Sequence, residues 1–329
     1  MRRIRRILVA IKDPAARALP ALGKAAQLAR ALDAELVLFQ ALTTPLNLGS
    51  DLLPRGTLRQ IERDARESDR ARLERHAQRL RRLGLRVSAV AEWDYPAHEA
   101  VIRAAARAGA DLIVAERHAG RHLAAGLLRL TDWELLRLAP LPVLLVKRGG
   151  RYRRPRVLAA VDPEHRYGKS AQLDRNILGA GALLARALKG HLHLVHAYAP
   201  VPLTAYTQGV LSQDILEDME RRSTRAAQKN VAGLASQAAI PAARRHLIAR
   251  HPSDAIEQVA AEIHSAIVVM GALARGGLRR LLIGNTAERV LDHLPSDLLI
   301  IKPSAFRPQV PRRRRGARYF SLSSVAPYH

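Results

Sequence analysis

The chain repeats itself at long period, and this constrains its fold more than any single motif. "RILVAIKD" at 6–13 returns as "RVLAAVD" at 156–162. "YPAHEAVIRAAARAGADLIVA" at 95–115 returns as "HPSDAIEQVAAEIHSAIVVM" at 251–270. "LAPLPVLLVK" at 138–147 returns as "HLPSDLLIIK" at 293–302. The order is kept, so each half is the same kind of domain. The expected boundaries are 1–148 for the first domain, 149–155 for a linker, 156–302 for the second domain and 303–329 for a basic tail. The tail sequence has no amphipathic period and is expected to be disordered.

Within each half, short apolar runs alternate with amphipathic stretches. The expected strands of the first half lie near 6–11, 35–41, 86–92, 111–115 and 142–147. Helices fill 17–32, 57–83, 97–108 and 131–138. In the second half strands are expected near 156–161, 191–197, 244–249, 266–271 and 297–301. Helices fill 170–188, 210–236, 253–264 and 285–293. Continuous apolar strands alternating with helices call for a parallel sheet covered on both faces, with right-handed crossovers. Such sheets bind ligands beyond the carboxyl ends of their strands, where the strand order reverses.

Composition removes several function classes. There is no cysteine, which excludes disulfides, thiolate metal sites and a cysteine nucleophile. "APLPVLLV" at 139–146 is too short to span a bilayer and holds two prolines. The expectation is a protein without a membrane span, in the cytoplasm. The net charge is +25, and it is concentrated. Residues 1–6 carry four arginines, residues 147–156 one lysine and five arginines, and residues 303–329 six arginines, with no acid in any of the three. Such flanks attract nucleic acid by charge alone, although an Arg-biased solvated tail reads the same way. No stacking platform or helix-turn-helix accompanies them, so any such binding would be independent of sequence.

The stretch "GALARGGLRRLLIGNTAERV" at 271–290 carries the clearest site signal. A strand ends at Gly271, a basic loop with Arg275, Arg279 and Arg280 follows, and a helix is expected to open near Asn285. Asn285 and Glu288 have capping-box spacing. Backbone N–H groups and a helix N-terminus in this setting can meet an anion. A well-capped helix after a glycine turn gives the same pattern.

Together with the tandem repeat, "GNTAERVLDHLPSDLLIIKP" at 284–303 and "TDWELLRLAPLPVLLVK" at 131–147 resemble the tandem members of the universal stress protein family, above all its E type. The resemblance covers residues 1–302. It implies two flavodoxin-like domains of the adenine nucleotide alpha hydrolase-like kind, doubly wound around parallel sheets. It also implies a non-enzymatic role in surviving stress, including DNA-damaging conditions. ATP-binding members carry an Asp after the first strand and a glycine motif after the fourth. By that resemblance Asp162 would face ribose or adenine, and the backbone of Ala197 would meet adenine. Gly271 and Gly284 match motif glycines, with Arg275, Asn285 and Thr286 near the phosphates. Ala274 stands where the second glycine is expected and Asn285 where a hydroxyl is expected, so retention of ATP, with its bound magnesium, is left open. In the first half Asp13 is taken to match Asp162. Glu116 replaces Gly271, and Leu130 or Thr131 replaces Gly284, with Thr131 and Glu134 capping a helix. The first half is therefore expected to have lost the nucleotide site.

Other constellations are weaker. His191, His193 and His196 lie in one strand without a carboxylate at ligand spacing, and His118 and His122 lack the Glu of a zinc helix, so no metal is expected. Trp93 and Trp133 read as packing residues. "AYAPVPLTAYTQGVL" at 197–211 could line a pocket for an apolar or lipid-like molecule. A homodimer, a slow ATPase or adenylate-binding protein, and a nucleic-acid-associated protein complete the alternatives.

Overall fold

The computed structural model describes residues 3–43, 54–117, 125–164, 171–198, 212–272, 293–304, 306–307 and 310–317. The chain divides into two compact units, 2–151 together with 307–329, and 152–306.

In the first unit the strands are β1 (Arg6–Ala10), β2 (Glu35–Leu42), β3 (Val87–Trp93), β4 (Leu112–Glu116) and β5 (Val143–Val146). Its helices are α1 (Pro20–Leu32), α2 (Arg55–Arg82), α3 (Ala97–Ala108) and α4 (Ala125–Leu138). Strand order is β3-β2-β1-β4-β5, and every pairing is parallel. The order reverses between β1 and β4, which opens a crevice at their carboxyl ends.

The helices form where the apolar period demands. Helix α1 starts with Pro20 at its first turn, where a missing N–H costs nothing. It buries Leu22, Ala25, Leu28 and Ala29, a stripe at three- and four-residue spacing. Helix α3 buries Ala100, Val101, Ala104 and Ala105, and ends where Gly109 takes the left-handed conformation at φ 59°. Helix α2 is mostly solvated; Leu73, Ala77 and Leu80 form its buried face. Helix α4 begins six residues before the expected start at 131, because the Ala- and Leu-rich run from 125 favours helix throughout. Thr131 is therefore inside the helix, which corrects the reading of Thr131 and Glu134 as its cap.

The second unit repeats the plan. Its strands are β6 (Arg156–Val161), β7 (His191–Tyr198), β8 (Arg245–Ala249), β9 (Ile267–Gly271) and β10 (Asp297–Ile301). Its described helices are α5 (Ala171–Ala187), α6 (Gln213–Gln237) and α7 (Pro252–Glu262). Strand order is β8-β7-β6-β9-β10, again with parallel pairing throughout. Tyr152, from the segment read as linker, is buried in this unit, and its hydroxyl donates to Asp297 Oδ2 at 2.5 Å.

Of the basic tail, residues 310–317 lie against the first unit rather than standing free, which corrects the expectation of disorder for them. The anchor is Arg103, whose guanidinium grips Asp94 through Nε to Oδ2 and Nη2 to Oδ1, both at 2.8 Å. Arg103 Nη1 also donates to the Pro311 carbonyl, and the Arg315 N–H donates to Asp94 Oδ1 at 2.9 Å. The Arg315 side chain reaches Glu99 and stacks over the Tyr95 ring, while Arg314 pairs with Glu92.

Candidate functional site

The second crevice is built at the carboxyl ends of β6, β7 and β9. Asp162 follows β6 and is 8% exposed. Its N–H donates to Asp174 Oδ1 of α5 at 3.2 Å. Its own Oδ2 is buried without a hydrogen-bond partner in the protein. A buried carboxylate oxygen in that state carries a desolvation cost unless a ligand or water meets it. Ala197 lies near the end of β7, paired with Ile248. Between them, fully buried His196 sets Nδ1 3.4 Å from the Val161 carbonyl and Nε2 3.6 Å from Glu164 Oε1. Asp174 and Glu164 were not singled out from sequence, and His196 was weighed only as a metal ligand and set aside; the signal available for Asp174 was an acid in the first turn of a helix facing a strand end.

Gly271 closes β9, as expected, but its smallness has a structural cause. A Cβ there would stand 2.8 Å from Leu173 Cδ2 and 3.2 Å from Ile177 Cδ1 of α5. The glycine lets the helix approach the strand. Ala274, Arg275, Gly284, Asn285 and Thr286 lie outside the described residues.

The first crevice carries different charges. Sheet register decides the equivalences: Ile7 pairs with Leu112 as Val157 pairs with Ile267, and Arg6 pairs with Glu35 as Arg156 pairs with His191. Counting forward, Lys12, not Asp13, stands at the place of Asp162, and Glu116 at the place of Gly271. Asp13, one residue on, is exposed at the mouth of the crevice, where Oδ1 accepts the Ala15 N–H at 2.8 Å. Lys12 Nζ donates to Asp132 Oδ1 of α4 at 2.8 Å. Burial raises the Glu116 pKa, while the Ala21 N–H and the charge of Lys12 hold it down. A carboxyl group thus stands at the end of the fourth strand and a cation after the first, where the second crevice has Gly271 and Asp162.

The histidines pack rather than gather. His193 Nδ1 lies 3.1 Å from His246 Nε2 of β8, and the rings stack with centroids 5.4 Å apart. Burial, then the neighbouring His246, lowers the His193 pKa to about 4. Among the described residues no group of three His, Cys, Asp or Glu could hold a metal; His118 and His122 lie outside them. Trp93 packs with its Nε1 donating to the Glu62 carbonyl of α2 at 2.9 Å. No described helix is long and apolar enough to cross a membrane.

Comparison with known proteins agrees with the duplicated fold. The family model described as "Universal stress protein family" matches twice, over residues 3–147 and 154–302. Universal stress protein E of Escherichia coli is 30% identical over 224 residues, covering 66% of this chain and 69% of that protein. The universal stress protein E homolog of Haemophilus influenzae is 31% identical over 185 residues, and the match spans 56% of that relative's length. A solved Pseudomonas aeruginosa structure described as a universal stress protein is 28% identical, with a TM-score of 0.68. The match covers 92% of this chain and 94% of that one.

Proposed function

The chain belongs to the universal stress protein family, matched in both halves, and from that premise we propose that it is a non-enzymatic stress-response protein of the cytoplasm. It supports survival under stress, including DNA-damaging conditions, and its second half senses a nucleotide. The observation that carries the ligand reading is Asp162. It is buried at the reversal of strand order with one carboxylate oxygen left without a protein partner. A ribose hydroxyl or an adenine amino group is the kind of donor such an oxygen accepts from. Ala274, Arg275, Gly284, Asn285 and Thr286 complete this site in the proposal, with Ala197 beside adenine and magnesium held only by the nucleotide. In the first half, Glu116 would repel a phosphate.

The nucleic-acid alternative is not favoured. The side chains of Arg314 and Arg315 in the tail are paired with Glu92 and Glu99, which leaves less free charge for phosphate contacts. The test is survival of a strain lacking this protein after ultraviolet exposure. The wild-type chain should restore survival and an Asp162→Asn chain should restore less. Equal rescue by both would refute the ligand role, and no rescue by either would refute the stress role. Incubating the purified chain with ATP should release no ADP or AMP above a blank; release would mean an enzyme.

A further inference from the structure

The crevice of the first half, set aside as a lost nucleotide site, is a cavity of about 650 Å³. That volume lies within the roughly 300–1,000 Å³ of pockets that enclose small organic ligands. Its walls come from the ends of β1 and β2, the starts of α1 and α3, and α4. Leu19, Leu22, Phe39, Val101 and Leu135 make them apolar, with small residues such as Ala41 and Ala97 leaving the room.

Among the described residues, the ionisable groups that face this space are Lys12, Asp13, His98, Glu116 and Asp132. Burial lowers the His98 pKa, so that ring is neutral near pH 7. Among these described groups one cation stands against three carboxyl groups. Lys12 is committed to Asp132 at 2.8 Å. Asp13 and Glu116 remain facing the cavity. In a chain of net charge +25, this is a locally acidic, apolar recess. Distant arginines act on it only weakly, because charges separated by more than about 10 Å are largely screened at ordinary salt.

We infer that this cavity binds an apolar molecule carrying one cationic group, an amine or guanidine. The apolar body fills the space between α1, α3 and β2, and the cation pairs with Glu116. A phosphate or carboxylate ligand is excluded by the same carboxyl groups. This inference concerns the half that the nucleotide reading leaves unoccupied, so each stands or falls without the other.

The test uses the full chain and the neutral fluorophore Nile red as reporter, displaced by decylamine, decan-1-ol or decanoate, which share a chain length and differ in head group. Nile red should bind, and Ala41→Phe should weaken it by about tenfold or more, the equivalent of roughly 1.4 kcal/mol. Ala97→Leu, on another wall, should act in the same direction, which guards against a single misfolded variant. Ala197→Phe fills the matching position of β7 and should leave the dye unaffected. Decylamine should displace the dye best and decanoate worst, and Glu116→Gln should narrow that gap. Dye binding that survives both cavity-filling variants, or that is lost in Ala197→Phe, would overturn the site. Decanoate or decan-1-ol competing as well as decylamine would overturn the cationic ligand.

Discussion

Lys12 Nζ and Asp132 Oδ1 are 2.8 Å apart, and this ion pair ties the end of β1 to α4 at the floor of the first crevice. The Asp132 side chain is 6% exposed and that of Lys12 28%. Removing the cation alone leaves a carboxylate in an apolar setting. Lys12→Met should therefore cost about 1–3 kcal/mol, a buried-pair loss discounted for the exposed lysine. Lys12→Met with Asp132→Leu should recover most of it, because apolar packing replaces a desolvated pair. Urea unfolding of the four chains of this cycle gives the coupling. Additive costs would mean that the contact contributes nothing.

Gly271→Ala should destabilise the second half with no ligand present. The new Cβ would press on Leu173 and Ile177, and overpacking of this kind costs about 1–3 kcal/mol. Thermal unfolding without nucleotide measures it. An unchanged melting temperature would mean that the helix yields freely and that the glycine serves only a ligand.

Arg103→Leu should cost about 3–5 kcal/mol, the range for stripping one partner from a buried ion pair. Asp94 is fully buried and would lose its bidentate partner. The tail would lose the hydrogen bond to the Pro311 carbonyl. Limited trypsin digestion should then cut at Arg312–Arg315 faster than in the wild type. Unchanged cleavage would mean that the tail is not held by this anchor.

His193 makes stability depend on pH. Its pKa in the fold is about 4, against the ordinary 6.5. The unfolded chain therefore takes up this proton first as pH falls. The contribution of the neutral ring is full above about pH 6.5 and is lost progressively down to about pH 4. The urea midpoint should fall over that window in the wild type and less in His193→Gln. Proton–nitrogen correlation spectra should show His193 neutral at pH 6; a titration midpoint near 6.5 would contradict the buried stack.

The duplicated architecture was legible because it rests on apolar periodicity and on motifs that recur in order. The site was legible only in part. "AIKD" and "AAVD" invite an alignment of the two aspartates, Asp13 with Asp162. Pairing of β1 with β2 and β4 moves this by one residue and puts Lys12 there. A slip of one residue turns a strand side chain to the other face, and register is set by partners far along the chain. The tail misled for a similar reason. "PRRRRGAR" has nothing to bury, and its order comes from Asp94, Glu92 and Glu99, more than two hundred residues away. Gly271 ends its strand where the apolar run predicts, yet its packing against Leu173 could not be read before the helix was placed.

The central claim is that two copies of one fold put different side chains at the same crevice, Asp162 and Gly271 in one and Lys12 and Glu116 in the other, so that one copy alone accepts a nucleotide. Isothermal calorimetry of the full chain with ATP and magnesium tests this most directly. The account predicts one site per chain, lost in Asp162→Asn and kept in Lys12→Met. Two sites per chain, no site, or binding that survives Asp162→Asn and disappears in Lys12→Met would contradict it.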